Sequence, residues 1–215
     1  MPDLTFAIEG AETVPFAAAP MISFRLKVSN SGDENIHSIV LRTQVMVEVA
    51  RRRYTNEEQR NLRDLFGEPA RWNQTLRTML WTHISSVVPA FEGQTSVEVR
   101  VPCTFDFNVA ATKYFYGLED GELPLLFQFS GSVFYDGCEG HLNVVPIPWD
   151  KEAKFRVPVK TWRETIDAYY PNSAWLCLRR DVFDRIYQYK VRNGIPTWEQ
   201  ALERILESTE ELAHP

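Results

Sequence analysis

Cysteine is scarce in this chain of 215 residues: there are three, Cys103, Cys138 and Cys177, an odd number with no repeated spacing. That excludes a disulfide framework and suits reduced thiols in a reducing compartment. Long apolar runs are also missing. No stretch approaches the ~18 apolar residues of a membrane helix. The opening "MPDLTFAIEG" has neither the basic start nor the apolar run of a secretory signal, so a cytoplasmic protein without a membrane span is expected. Positive charge is in deficit, with 23 Lys and Arg against 29 Asp and Glu, a formal net charge of −6. Nonspecific nucleic-acid binding needs a surplus of cations facing the phosphates, so nucleic acid is not an expected partner. The chain also lacks a G-x-S-x-G elbow, a phosphate loop ending in G-K-[ST], a dinucleotide-binding G-x-G-x-x-G and an H-E-x-x-H pair. The expectation is a protein that is not an enzyme and carries no cofactor.

What is present is the balance of an ordinary globular protein: 44% hydrophobic and 24% charged residues, with aromatics at 13%. A chain of this size buries roughly 70% of its unfolded surface without staples. The core should be rich in Phe, Tyr and Trp.

Apolar residues alternate in several windows, the period of strands with one face buried. In "VEVRVPCTFDF", Val97, Val99, Val101, Cys103, Phe105 and Phe107 share one face, and Pro102 on the other face places this strand at a sheet edge or a bulge. The same period runs through Leu4–Ile8, Ile22–Val28 and Ile39–Val49, with further strands expected at 80–91, 123–135, 141–147 and 154–159. About eight strands with turn signals such as "NSGDEN" and "EDGELP" between them imply an antiparallel β-sandwich.

One helix is expected inside the β region: "TNEEQRNLRDLFGEP" offers a capping box from Thr55 to Glu58 and a stop at Gly67. From residue 161 the pattern turns helical. Capping boxes at Thr161–Glu164 and Thr197–Gln200, a stop at Gly194 and an apolar stripe of Trp198, Ala201, Leu202, Ile205 and Leu206 predict two or three amphipathic helices. The expected organisation is therefore a sandwich domain over 1–160 and a helical segment over 161–215 packed on it.

Three features bear on function. "DGCEGH" gives Cys138 and His141 the C-x-x-H spacing of half a zinc site, but no second pair completes it, so a Gly-rich hairpin turn with an incidental thiol is preferred and no metal is expected. "RRRY" sets Arg51, Arg52 and Arg53 in a row before the first helix. Glu48, Glu57 and Glu58 lie near enough in sequence to make it a solvated face; otherwise it binds an acidic protein surface or a phosphate. Trp72, in the polar "EPARWNQ", is the tryptophan expected to be most exposed. Arg51, Arg52, Arg53 and Trp72 are thus the candidate partner-binding residues, since Arg and Trp most often carry interface energy.

The segments "WNQTLRTMLWTHISSVVPAF", "VPCTFDFNVAATKYFYGLEDGELPLLFQFSGSVF", "PWDKEAKFRVPV" and "YYPNSAWLCLRRDVFDRIYQYKVRNGIPTWEQAL" resemble an uncharacterised bacterial family, a domain of unknown function best represented in actinobacteria. The resemblance covers nearly the whole chain and implies no catalytic residues. It also implies an association with gene clusters of high-affinity [NiFe]-hydrogenases, and hence an accessory, maturation or assembly role with hydrogenase subunits or other accessory proteins as partners. The alternative is a carbohydrate- or ligand-binding sandwich module.

Overall fold

The computed structural model describes residues 1–104, 108–137, 141–174 and 176–213, with side chains to Thr209. Among these, eight strands form two antiparallel sheets that face each other across one core, the expected sandwich. The smaller sheet has the order β1 (Leu4–Thr13), β2 (Met21–Asn30), β5 (Gln94–Pro102). The larger runs β4 (Met79–Val88), β3 (Ile36–Val47), β6 (Glu122–Asp136) and then β7 (Leu142–Pro146). β8 (Glu152–Pro158) pairs with the first half of β6, while β7 pairs with its second half. β5 is an edge strand, where the missing N–H of Pro102 costs no ladder bond.

The alternation in the sequence explains the core. Ile22, Phe24, Leu26 and Val28 of β2 and Leu41, Val45 and Val47 of β3 are fully buried, and aromatic rings bridge the sheets: Phe24 meets Phe127 at 5.1 Å and Phe6 meets Phe129 at 4.5 Å between centroids. Gly131 of β6 sits at φ 133° against β3, where an added Cβ would lie 2.0 Å from the Val40 carbonyl oxygen. Only glycine fits that approach.

The helices of the first unit depart from the single insertion expected. The stretch after β3 breaks into α1 (Asn56–Asn61), α2 (Arg63–Phe66), a 3-10 turn at Pro69–Arg71 and α3 (Trp72–Thr75). The Thr55–Glu58 capping box is present with both bonds, at 3.1 and 3.0 Å. A further helix, α4 (Val109–Gly117), stands between β5 and β6, capped by Asn108, whose side chain accepts from Ala111 N at 2.9 Å and donates to the carbonyls of Leu80 and Trp81. α5 (Val159–Tyr169) begins directly after β8 with Pro158 at its cap, so Thr161 lies inside the helix rather than capping it. Glu164 instead faces Lys160, one turn back, at 3.5 Å.

The chain divides into two compact units, Met1–Ser173 and Ala174–Pro215. The boundary falls after α5 rather than at residue 160, because α5 packs on β1, β2 and β8, buries Val159, Trp162 and Ile166 in the sandwich core, and joins the β1–β2 loop through Tyr169, whose hydroxyl donates to the Val14 carbonyl at 2.7 Å. The second unit is a hairpin of α6 (Arg180–Arg192) and α7 (Trp198–Ala213), turned at Gly194 with φ 60°. Gln200 N donates to Thr197 Oγ1 at 3.2 Å, the cap expected there. No helix among the described residues is long and apolar enough to cross a membrane.

Candidate functional site: an arginine-rimmed cleft

After β3 the chain makes a 3-10 turn at Val49–Arg51 and then runs extended toward the Thr55 cap. Successive side chains of an extended segment point to opposite sides. The arginine triplet is split accordingly: the Arg51 side chain is 58% exposed, that of Arg52 only 8%, and Arg53 is exposed again. Tyr54, turned inward like Arg52, donates its hydroxyl to the Val49 carbonyl at 2.7 Å and lies 2.9 Å from the Tyr114 hydroxyl. Burial pushes both phenols above their ordinary pKa, Tyr114 far more than Tyr54.

Arg52 is therefore part of the scaffold. Its Nη2 donates to Glu58 Oε1 and to the Asp120 carbonyl, its Nη1 to the Glu122 carbonyl at 2.9 Å. Glu58, itself buried, also accepts from the backbone N–H groups of Thr55 and Glu119, each at 3.0 Å. One ion pair thus holds three segments together: the exit of β3, the start of α1 and the turn from α4 into β6.

Around this pair lies an open cleft of about 530 Å³, rimmed by Arg51, Arg53, Arg156, Glu119 and Glu122. A second hollow of about 540 Å³, over Pro124, Leu125 and Phe155, shares Arg51 and Arg156 with it. Arg51 faces the largely buried Glu48 at 2.9 Å, whereas Arg156 and Glu122, 3.8 Å apart, are both exposed, so solvent screening weakens that second pair. Arg53 has no ion-pair partner among the described residues. The rim thus offers cations and carboxylates side by side, a surface suited to salt bridges of both signs.

Trp72 contradicts its expected exposure. It is 7% exposed, donates Nε1–H to the Gly67 carbonyl at 3.0 Å, and packs edge-on against Tyr54 and Phe66 at 5.1 and 5.9 Å. It does approach the arginines from inside, since the Arg52 guanidinium lies 5.8 Å from the Tyr54 ring. Trp149, in the loop from β7 to β8, is instead 93% exposed. Arg156, missed in the sequence, comes to the cleft by pairing of β8 with β6, where it stands opposite Pro124. No local motif announces such a long-range approach.

Cys138 lies outside the described residues; His141 is exposed, and its carbonyl accepts from Gly137 N at 2.8 Å. No group of three or more His, Cys, Asp or Glu placed to hold a metal occurs among the described residues. Cys103 is buried at the end of β5, and burial pushes its thiol up to about 12.

Two sheets of three and five strands closing on an aromatic core make this a mainly β protein of sandwich type. The chain belongs to the family of unknown function DUF6084, whose model matches residues 1–214. Among curated proteins none matches. Several solved structures are similar in part. The CARDB domain of a Pyrococcus furiosus protein is 14% identical over 73% of this chain and 91% of its own, with a TM-score of 0.29. A putative late embryogenesis abundant protein is 11% identical over 74% and 71%, with a TM-score of 0.35. A β-glucosidase of Thermotoga neapolitana is 8% identical over 73% of this chain but 17% of its own, with a TM-score of 0.27.

Proposed function

We propose that this is a non-enzymatic accessory protein that works by binding another protein at the arginine-rimmed cleft. The observation that carries the reading is the division of labour within the cleft. A buried Arg52–Glu58 pair fixes the frame, while Arg51, Arg53 and Arg156 stand exposed around it with Glu119 and Glu122 between them. A rim of both signs matches the mixed charge of a protein surface better than the uniform charge of a polyanion. The resemblance to a family associated with [NiFe]-hydrogenase genes makes hydrogenase subunits and their assembly factors the first partners to try.

The test begins with the tagged protein captured from its own cell and the partner identified and purified. Arg51→Glu, Arg53→Glu and Arg156→Glu together should weaken binding at least ~10-fold, chiefly by slowing association, and flatten its salt dependence. A triple variant that binds as the wild type does moves the interface elsewhere. The second reading, a carbohydrate- or ligand-binding module, is favoured by the exposed Trp149; it predicts a sugar titration that Trp149→Ala abolishes.

A further inference from the structure

The second hollow differs in charge from the cleft it adjoins. Among the described residues, four arginines and four carboxylates line the cleft, a balanced set. The hollow over Pro124, Leu125 and Phe155 is lined instead by three cations, Arg51, Lys154 and Arg156, and by one carboxylate, Glu48. That carboxylate is largely buried and already faces Arg51. Lys154 and Arg156 lie beside exposed carboxylates, Glu152 at 3.4 Å and Glu122 at 3.8 Å, and water weakens both pairs. In a chain of net charge −6, the hollow is a local surplus of positive charge.

Strand pairing gives that surplus a shape. β6 runs between β3 and β8. The turn that leaves β3 is tied down to β6 by the Glu48 N–H, which donates to the Pro124 carbonyl at 2.9 Å. Lys154 and Arg156, two residues apart on β8, share one face of the sheet with the residues paired to them, Leu126 and Pro124. Cations therefore stand on both sides of β6, Arg51 toward β3 and Lys154 with Arg156 on β8, and the floor between them is apolar. Arg51 and Arg156 line both hollow and cleft, so the groove continues along β6 toward Asp120 and Glu122. An extended chain laid over residues 120–126 would place about six residues in it. A simple anion matches the cations but leaves the apolar floor uncovered, and the carboxylates of the cleft repel a longer polyanion. A stretch of protein that mixes carboxylates with apolar side chains matches both.

Taking the cleft as a protein-binding site, on which this rests, we infer that an extended acidic segment of the partner enters it, with carboxylates between Arg51, Lys154 and Arg156 and apolar side chains over Pro124 and Phe155. The probe is a short capped peptide of aspartate and leucine in successive pairs, which lets carboxylates reach both walls. It is labelled with fluorescein and titrated with the full chain while anisotropy is read. The aspartate peptide should bind at least ~10-fold tighter than its asparagine counterpart, and added salt should weaken it. Lys154→Glu should weaken it at least ~10-fold with an unchanged thermal melt, since this side chain is half exposed. Lys154 does not line the cleft and is absent from the triple variant that tests it, so the two readings fail separately. If the captured partner ignores the triple variant while the peptide still depends on Lys154, the cleft reading falls and the groove stands. Aspartate and asparagine peptides that bind alike or not at all, or a peptide indifferent to Lys154→Glu, overturn the inference. So does full displacement of the peptide by millimolar inorganic phosphate at constant ionic strength, which would make the hollow a site for a simple anion.

Discussion

Arg52 and Glu58, six residues apart, form an ion pair at the floor of the cleft: their side chains are 8% and 1% exposed, and the carboxylate accepts two backbone N–H groups besides the guanidinium. Breaking a buried pair by removing one partner leaves a charge without compensation and costs about 3 to 5 kcal/mol. Arg52→Ala and Glu58→Ala should each lower urea stability by an amount in that range. Arg51→Glu with Arg53→Glu should change it by less than ~0.5 kcal/mol, because surface charge changes act weakly on folding. Equal effects from the two kinds of change would mean that the pair is not structural.

Trp72 is the second position where a binding role and a packing role predict different outcomes. Its ring closes an aromatic group with Tyr54, Phe66 and Tyr114. Trp72→Ala should cost about 3 to 5 kcal/mol, the range of large-to-small changes at buried aromatics. A thermal melt indistinguishable from the wild type would place this ring at the surface.

Cys103 should give the protein an alkaline weakness. Its thiol has an ordinary value of 9.0 in the unfolded chain and about 12 when folded, raised by burial. A raised acid stays protonated in the fold, so its contribution is complete below pH ~9 and is lost as pH climbs toward 12. Linkage sets that loss at about 1.4 kcal/mol per pH unit once the unfolded thiol has ionised. Between pH 9 and 10 the wild type should lose about 1 kcal/mol more stability than Cys103→Val. In the native state a maleimide should label the exposed Cys177 and leave Cys103 untouched.

The alternation of apolar residues carried the eight strands, because a half-buried strand writes its register directly into sequence. Local helix signals were legible where the cap is local: Thr55–Glu58 and Gly194 do what their spacing predicts. Asn108 and the i, i+3, i+4, i+7 set Ala111, Tyr114, Phe115 and Leu118 mark α4, but the preceding alternation from Val97 to Phe107 has the period of one long strand and masks the cap. Phe105 and Phe107 lie outside the described residues, and β5 ends at Pro102. The cleft was half legible. "RRRY" showed the cations, but a triplet cannot tell which of its members turns inward; that depends on the carboxylate of Glu58 and on carbonyls some seventy residues further along, at Asp120 and Glu122. Trp72 misled for the same reason, as its polar neighbours in sequence are not its neighbours in space.

The place where the sandwich ends can be settled by truncation. Among the described residues, the buried core cluster of the sandwich takes its last members from α5, Trp162 and Ile166. A chain stopped after Ser173 should therefore keep the melting temperature of the sandwich transition to within a few degrees. A chain stopped after Pro158 loses Val159, Trp162 and Ile166 together with the Tyr169 bond to the β1–β2 loop. At about 1.5 to 3 kcal/mol for each large buried side chain, that removes several kcal/mol from a domain whose whole stability is of order 5 to 15 kcal/mol. It should be insoluble or melt far earlier. If the shorter chain instead matches the longer one, α5 adds nothing to the sandwich and the boundary belongs at residue 160 after all.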